Sequence, residues 1–272
     1  MSTQSYTPAG PAGPAGDLSP RSTPSMPREW NARSYDALPL PHTGWGARVL
    51  HQVPLRGDEH VLDAGAGTGR DAVALLERLP DGRVLAVDAS HRMLEVLAEK
   101  VADPRLEVRH HDLTTPLVVN SPLDACISVA TFHWIEDHDA LFQNIGQVLR
   151  PGAVFVAECG GEGNVARVDA AVADVVGGVP DGAVWHFAGV EETRDQLAAA
   201  GFEDIEVGLR PDPAHLRAGE QFEAFLATVI LGGHLAKMDA DRHEDFVTAV
   251  ADRIGEPVVD YVRHELRARK AP

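Results

Sequence analysis

The chain has 272 residues, of which 44% are apolar and 24% charged, enough for one large globular domain or two small ones. A net charge of −17 argues against a protein that grips nucleic-acid phosphates or anionic lipid, and two cysteines, Cys126 and Cys159, are too few for a disulfide framework or a thiolate zinc site. With no run near the ~20 apolar residues of a membrane helix and no secretory signal at the N-terminus, a soluble cytoplasmic protein is expected.

Residues 1–28 are mostly Pro, Gly, Ala, Ser and Thr, with prolines at Pro8, Pro11, Pro14, Pro20, Pro24 and Pro27. That composition predicts a disordered tail, with the folded domain spanning 29–272. From Val61 short apolar runs alternate with helical periodicity. Strands are predicted at Val61–Asp63, Val84–Asp88, Leu106–His110, Asp124–Val129 and Val154–Glu158. Helices are predicted at Asp71–Leu79, after an N-cap at Ser90, and at Asp139–Leu149, the last stopped by Arg150-Pro151-Gly152. Such alternation predicts an α/β fold with a parallel sheet covered on both faces. Further on, a helix at Val190–Ala200 precedes a strand at Ile205–Leu209. Helical stretches follow at Glu220–Leu231 and Asp241–Ile254, then a final strand at Tyr261–Arg269 with one wetter face. The two helical stretches read as an insertion between the last two strands, placed to roof a pocket.

The segment HVLDAGAGTGRD carries the most information. A strand runs into Asp63-Ala64-Gly65-Ala66-Gly67-Thr68-Gly69, and a helix begins within two residues. Glycines there permit positive φ and let a ligand approach the backbone. Asp88, at the end of the next strand, suits a carboxylate that accepts both hydroxyls of a ribose. A dinucleotide fingerprint needs its third glycine at position 70, where Arg70 stands, and a pyrophosphate would be repelled by Asp63. S-adenosylmethionine (SAM) carries a sulfonium, an ammonium and a ribose without phosphate, which gives both carboxylates a partner.

With VLDAGAGTG at 61–69, VDASHRML at 87–94, the turn at Asp112 and LRPGAVFVAE at 149–158, the chain resembles the class I SAM-dependent methyltransferases. SVATFHWIEDHDAL and DYVRHELRARK resemble the small-molecule branch around trans-aconitate methyltransferase. The resemblance implies a Rossmann-like, doubly wound seven-stranded sheet with its last strand antiparallel, and SAM across the strand carboxyl ends, leaving as S-adenosylhomocysteine. It implies helical lid parts near 29–55, 160–190 and 212–257. Gly65 and Gly67 would lie beneath the methionine part and ribose, Asp63 would orient the amino group, and Asp88 would take the ribose. Ala89 and Met93 would pack on the adenine, with Asp112 and the Leu113 N–H at its edge. The Ala130 carbonyl would accept from the ammonium, and Tyr35 would cover the sulfonium end.

Weaker signals surround this site. HWIEDHD could suggest a metal, but Asp137 and Asp139 suit a helix N-cap and first turn, so no metal is expected. His133 is a candidate general base, or else a wall residue against the cofactor. Trp30, Trp185, His186 and Phe187 are expected to line the substrate pocket, and Arg210, His215 and Arg217 would clamp the acceptor if it were a carboxylate. The expected function is methyl transfer to a small-molecule acceptor by a monomer or homodimer, without nucleic acid or membrane. The alternatives are a SAM-fold protein catalysing a cyclisation or rearrangement, and a non-catalytic SAM-binding module.

Overall fold

The computed structural model describes residues 42–178 and 185–272. The expected tail at 1–28, together with Trp30 and Tyr35, lies outside the described residues. Helix α1 (His42–His51) comes first, then β1 (His60–Ala64), α2 (Arg70–Arg78), β2 (Arg83–Asp88), α3 (His91–Lys100) and β3 (Leu106–His110). They are followed by β4 (Leu123–Val129), α4 (His138–Val148), β5 (Leu149–Gly160), α5 (Ala166–Val176), α6 (Val190–Ala199) and β6 (Phe202–Pro211).

Local chemistry sets the helix starts. Ser90 Oγ accepts from the Met93 N–H at 3.3 Å and caps α3; Asp137 Oδ1 accepts from the Ala140 N–H at 2.9 Å and caps α4. The cap at Asp137 is what the HWIEDHD segment predicts. No helix among the described residues is long and apolar enough to cross a membrane.

The seven strands order as β3-β2-β1-β4-β5-β9-β6, where β9 is Val262–Lys270. The first five pair parallel; β9 runs antiparallel to both β5 and β6. This is the seven-stranded, doubly wound sheet with an antiparallel last strand. Successive side chains on a strand face opposite sides, so the apolar runs feed two cores at once. Val61, Ala86, Ile127 and Val156 enter one core, while their neighbours Leu62, Leu85, Cys126 and Phe155 enter the other.

Between β6 and β9 the chain makes a short antiparallel pair, β7 (Ala214–His215) with β8 (Val258–Val259), around α7 (Glu220–Phe225), α8 (Gly232–Leu235) and α9 (His243–Ile254). The helix predicted over Glu220–Leu231 is broken: Leu226–Ile230 form a π turn, one residue wider than an α turn. Phe222, Phe225, Leu226, Phe246 and Val250 of this insertion join the same core as Trp45 of α1. One expectation on β9 is corrected. Arg263 falls on the face predicted to be wetter, yet it is only 1% exposed, because the insertion and α1 cover that end of the strand.

Candidate active site

The carboxyl ends of β1, β2 and β4 converge on the glycine loop. Gly65, Gly67 and Gly69 all have positive φ (87°, 54° and 86°). The N–H groups of Gly65 and Ala66 donate to the Val87 carbonyl at 2.8 and 2.9 Å, tying the loop to β2. A side chain at Gly65 would collide with Thr131, and one at Gly69 with Leu97; a Cβ on Gly67 would meet nothing within 4 Å. Gly65 and Gly69 thus serve packing, and Gly67 faces the open space.

Asp63, at the mouth of this loop, is 1% exposed, and its Oδ2 has no hydrogen-bond partner among the described residues. Burial, and then the neighbouring carboxylates of Asp71 and Asp88, push its pKa well above the usual range. Burial likewise raises Asp71 to about 6, against the opposing charge of Arg70. Asp71 was not singled out in the sequence, where it reads only as a first-turn helix residue. A Cβ on Gly46 of α1 would collide with its carboxylate, so that glycine admits Asp71 beneath α1. A buried, partnerless carboxylate oxygen beside two further acids is stabilised by a cation and repels a phosphate. The residues present therefore fit SAM.

Asp88 is held on both oxygens: Oδ2 accepts from the Gly67 N–H and Oδ1 from the Ser90 N–H, each at 2.8 Å. The Ala89 carbonyl lies 2.9 Å from His110 Nε2, and Met93 is buried. Asp112 Oδ1 accepts from the N–H and the hydroxyl of Thr114, which closes the turn; the Leu113 carbonyl accepts from Asn144 Nδ2 at 3.0 Å. Ala130 is a non-glycine residue at φ 56°, and its N–H donates to the Glu158 carbonyl at 2.7 Å. A left-handed alanine costs roughly 1–2 kcal/mol, and its place here is the end of β4 against the loop.

Next to Ala130 opens a cavity. One part of its wall is an aromatic group: Trp185 stacks on Phe187 with ring centroids 5.4 Å apart, and Trp134 meets Trp185 edge-on at 6.0 Å. Elsewhere Trp45 of α1 packs edge-on against Tyr261 at 5.1 Å, with the Arg263 guanidinium 3.6 Å from the centre of the Trp45 ring. Val229 and Ile230 of the π turn also line it.

Trp185 and Phe187 line this cavity, but His186 between them does not. The His186 ring packs edge-on against His138 at 4.7 Å, with Nε2 3.5 Å from Glu192, as alternation along an extended segment requires. His133 does line the cavity; its Nδ1 accepts from the Gly160 N–H at 3.2 Å. Arg210, His215 and Arg217 are not part of the wall. The arginine that reaches it is Arg263, whose Nε donates to Glu158 Oε1 at 3.1 Å. Glu158, 2% exposed, also accepts from Arg48 at 2.9 Å and Arg210 at 3.3 Å. Neither Glu158 nor Arg263 stands out in the sequence, because they are far apart along the chain and strand charges read as solvent-facing.

Comparison with known proteins agrees with this geometry. A methyltransferase-domain family model matches residues 61–152, from β1 into β5. The chain is 28% identical to a malonyl-[acyl-carrier protein] O-methyltransferase of Geobacter sulfurreducens over 75% of this chain and 82% of that one. It is 31% identical to a trans-aconitate 2-methyltransferase of an Azoarcus strain over 47% of this chain and 50% of that one. Phosphoethanolamine N-methyltransferase 2 of Haemonchus contortus, solved with S-adenosylhomocysteine, superposes with a TM-score of 0.58 at 20% identity, covering 84% of this chain and 53% of that one. Fold, glycine loop and matched domain are features this chain shares with the class I SAM-dependent methyltransferases it resembles.

Proposed function

We propose that the chain methylates a small molecule seated in the aromatic cavity beside Ala130. The observation that carries this reading is the meeting, at Ala130, of two features: a glycine loop with the buried Asp63 at its mouth and a cavity walled largely by aromatic rings. In it, Asp63 and the Ala130 carbonyl hold the amino group of SAM, Gly65 and Gly67 lie against its chain, and Asp88 takes the ribose. Ala89, Met93, Asp112 and Leu113 frame the adenine, and Tyr35 with Trp30 belongs to the proposed cover. When bound, SAM supplies an electrophilic methyl group on a sulfonium. The protein's own part is to position the acceptor and keep water out, the largest contributions available to a transfer between pre-oriented partners.

His133 belongs to the acceptor wall in this reading. A neutral imidazole whose Nδ1 accepts from a backbone N–H carries its proton on Nε2, and is therefore a donor rather than a base on that side. The protein is proposed to act in the cytoplasm, as a monomer or homodimer, without metal, nucleic acid or membrane.

Incubation with methyl-labelled SAM and a metabolite extract tests the function. Label should appear in a small-molecule product. Binding of SAM by calorimetry with no label transferred from any extract would favour a structural use of the cofactor, in a cyclisation or a binding role.

A further inference from the structure

The cavity wall combines many aromatic rings with a cation whose charge is already matched. Arg263 is the one arginine or lysine in that wall among the described residues. Its Nε donates to the Glu158 carboxylate at 3.1 Å and its Nη2 to the Glu158 carbonyl at 3.3 Å, while its face lies over Trp45. The surrounding charges balance as well. Arg48, Arg210 and Arg263 are interleaved with Glu158, Asp212 and Glu265: Arg210 reaches Asp212 at 3.1 Å and Glu265 at 2.7 Å, and Arg48 reaches Asp212 at 3.2 Å. Three positive and three negative groups leave no net positive field.

A carboxylate brought into this space would lose its hydration and meet Arg263 with Glu158 directly behind it, so attraction and repulsion nearly cancel. A flat, uncharged ring loses little hydration and gains contact with the rings of Trp185, Phe187 and Trp134. The π turn adds to the fit, since its wider backbone brings the consecutive residues Val229 and Ile230 into the same wall.

We propose that the acceptor is an uncharged aromatic molecule, held by the Trp134–Trp185–Phe187 group and selected against carboxylates by the Arg263–Glu158 pair. This rests on the proposed function, in which the same cavity receives the acceptor.

The test uses the full chain saturated with S-adenosylhomocysteine, with 1-naphthol and 1-naphthoate as probes of equal shape and different charge, titrated by calorimetry. Naphthol should bind at least tenfold more tightly than naphthoate. Trp185→Ala should weaken naphthol at least tenfold while the affinity for S-adenosylhomocysteine stays within twofold. Glu158→Gln, which removes one negative charge and keeps one side-chain oxygen as an acceptor for Arg263, should raise naphthoate affinity at least tenfold relative to naphthol. If that variant does not fold, the wild-type ratio and Trp185→Ala decide the matter. Tighter binding of naphthoate, displacement of naphthol by trans-aconitate, or no binding of either probe would each overturn the inference. Failure of S-adenosylhomocysteine itself to bind would instead overturn the proposed function.

Discussion

The N–H of Gly67 and the carboxylate of Asp88 lie 2.8 Å apart, joining the glycine loop to the end of β2. With Ser90 donating to the other oxygen, the carboxylate is oriented before any ligand arrives. Asp88→Ala removes a charged acceptor and leaves two donors without it. SAM affinity should fall by about 1.5–3 kcal/mol, roughly 10- to 150-fold, read by calorimetry. An unchanged affinity would remove Asp88 from the site.

The two loop glycines should respond differently. At Gly65 an added methyl collides with Thr131 and is forced to positive φ, so Gly65→Ala should destabilise the fold by about 2 kcal/mol or more. At Gly67 the methyl meets no protein atom, so only the positive φ costs stability, about 1 kcal/mol. Gly67→Ala should instead weaken SAM binding by obstructing the ligand. Denaturant midpoints and SAM titrations on both variants check the split, and equal loss of SAM affinity at equal stability would contradict it.

His133, fixed as a donor by the Gly160 N–H, is expected to contribute less than tenfold to the methyl-transfer rate. A general base would contribute ~10²-fold or more. Single-turnover rates of His133→Ala at saturating SAM measure this. A hundredfold loss, with a wild-type rate that falls as pH drops through the imidazole range, would make His133 the base.

His264 gives the fold a pH dependence. Burial lowers its pKa to about 4, aided by the nearby charges of His138 and Arg263. The unfolded chain, with His264 near its ordinary ~6.5, binds more protons between those values, so stability rises with pH across this window and is lost as pH falls. The full effect of the shift is about 3 kcal/mol. Denaturation at pH 4, 5, 6 and 7 should show a steeper loss for the wild type than for His264→Gln. Parallel curves would mean His264 does not titrate in this way.

No metal is expected to be needed. Asp137 is occupied as the cap of α4, and His138 Nε2 lies 2.9 Å from the Phe132 carbonyl, so the HWIEDHD segment is committed to helix geometry. Turnover should be unchanged by EDTA. A loss restored by magnesium or zinc would show otherwise.

The strands, the cap at Ser90 and the loop with Asp88 were legible because each depends on neighbours in sequence: a short apolar run, a glycine, an acid at the strand's end. What decides the cavity depends on partners more than a hundred residues apart, as Glu158 and Arg263 are. A charged residue in an alternating strand reads as solvent-facing, and only the covering of β9 by the insertion and α1 buries Arg263. The π turn at Leu226–Ile230 escaped for a related reason. One extra residue in a turn hardly disturbs apolar spacing, while it changes which side chains share a wall. Asp71 was hidden by its good fit to an ordinary helix start.

The antiparallel strand β9 also has a consequence for how the sheet is made. It enters between β5 and β6, pairing Val154–Gly160 with a segment over a hundred residues later, and among the described residues β6 pairs with no other strand. Until β9 docks, β6 has no neighbour and β5 keeps an open edge, both templates for pairing with another chain. Closing so long a loop is slow, so this half of the sheet is expected to form late and to be the part most exposed to aggregation meanwhile. Changes in β9 that leave the finished protein as stable as before should still lower its yield.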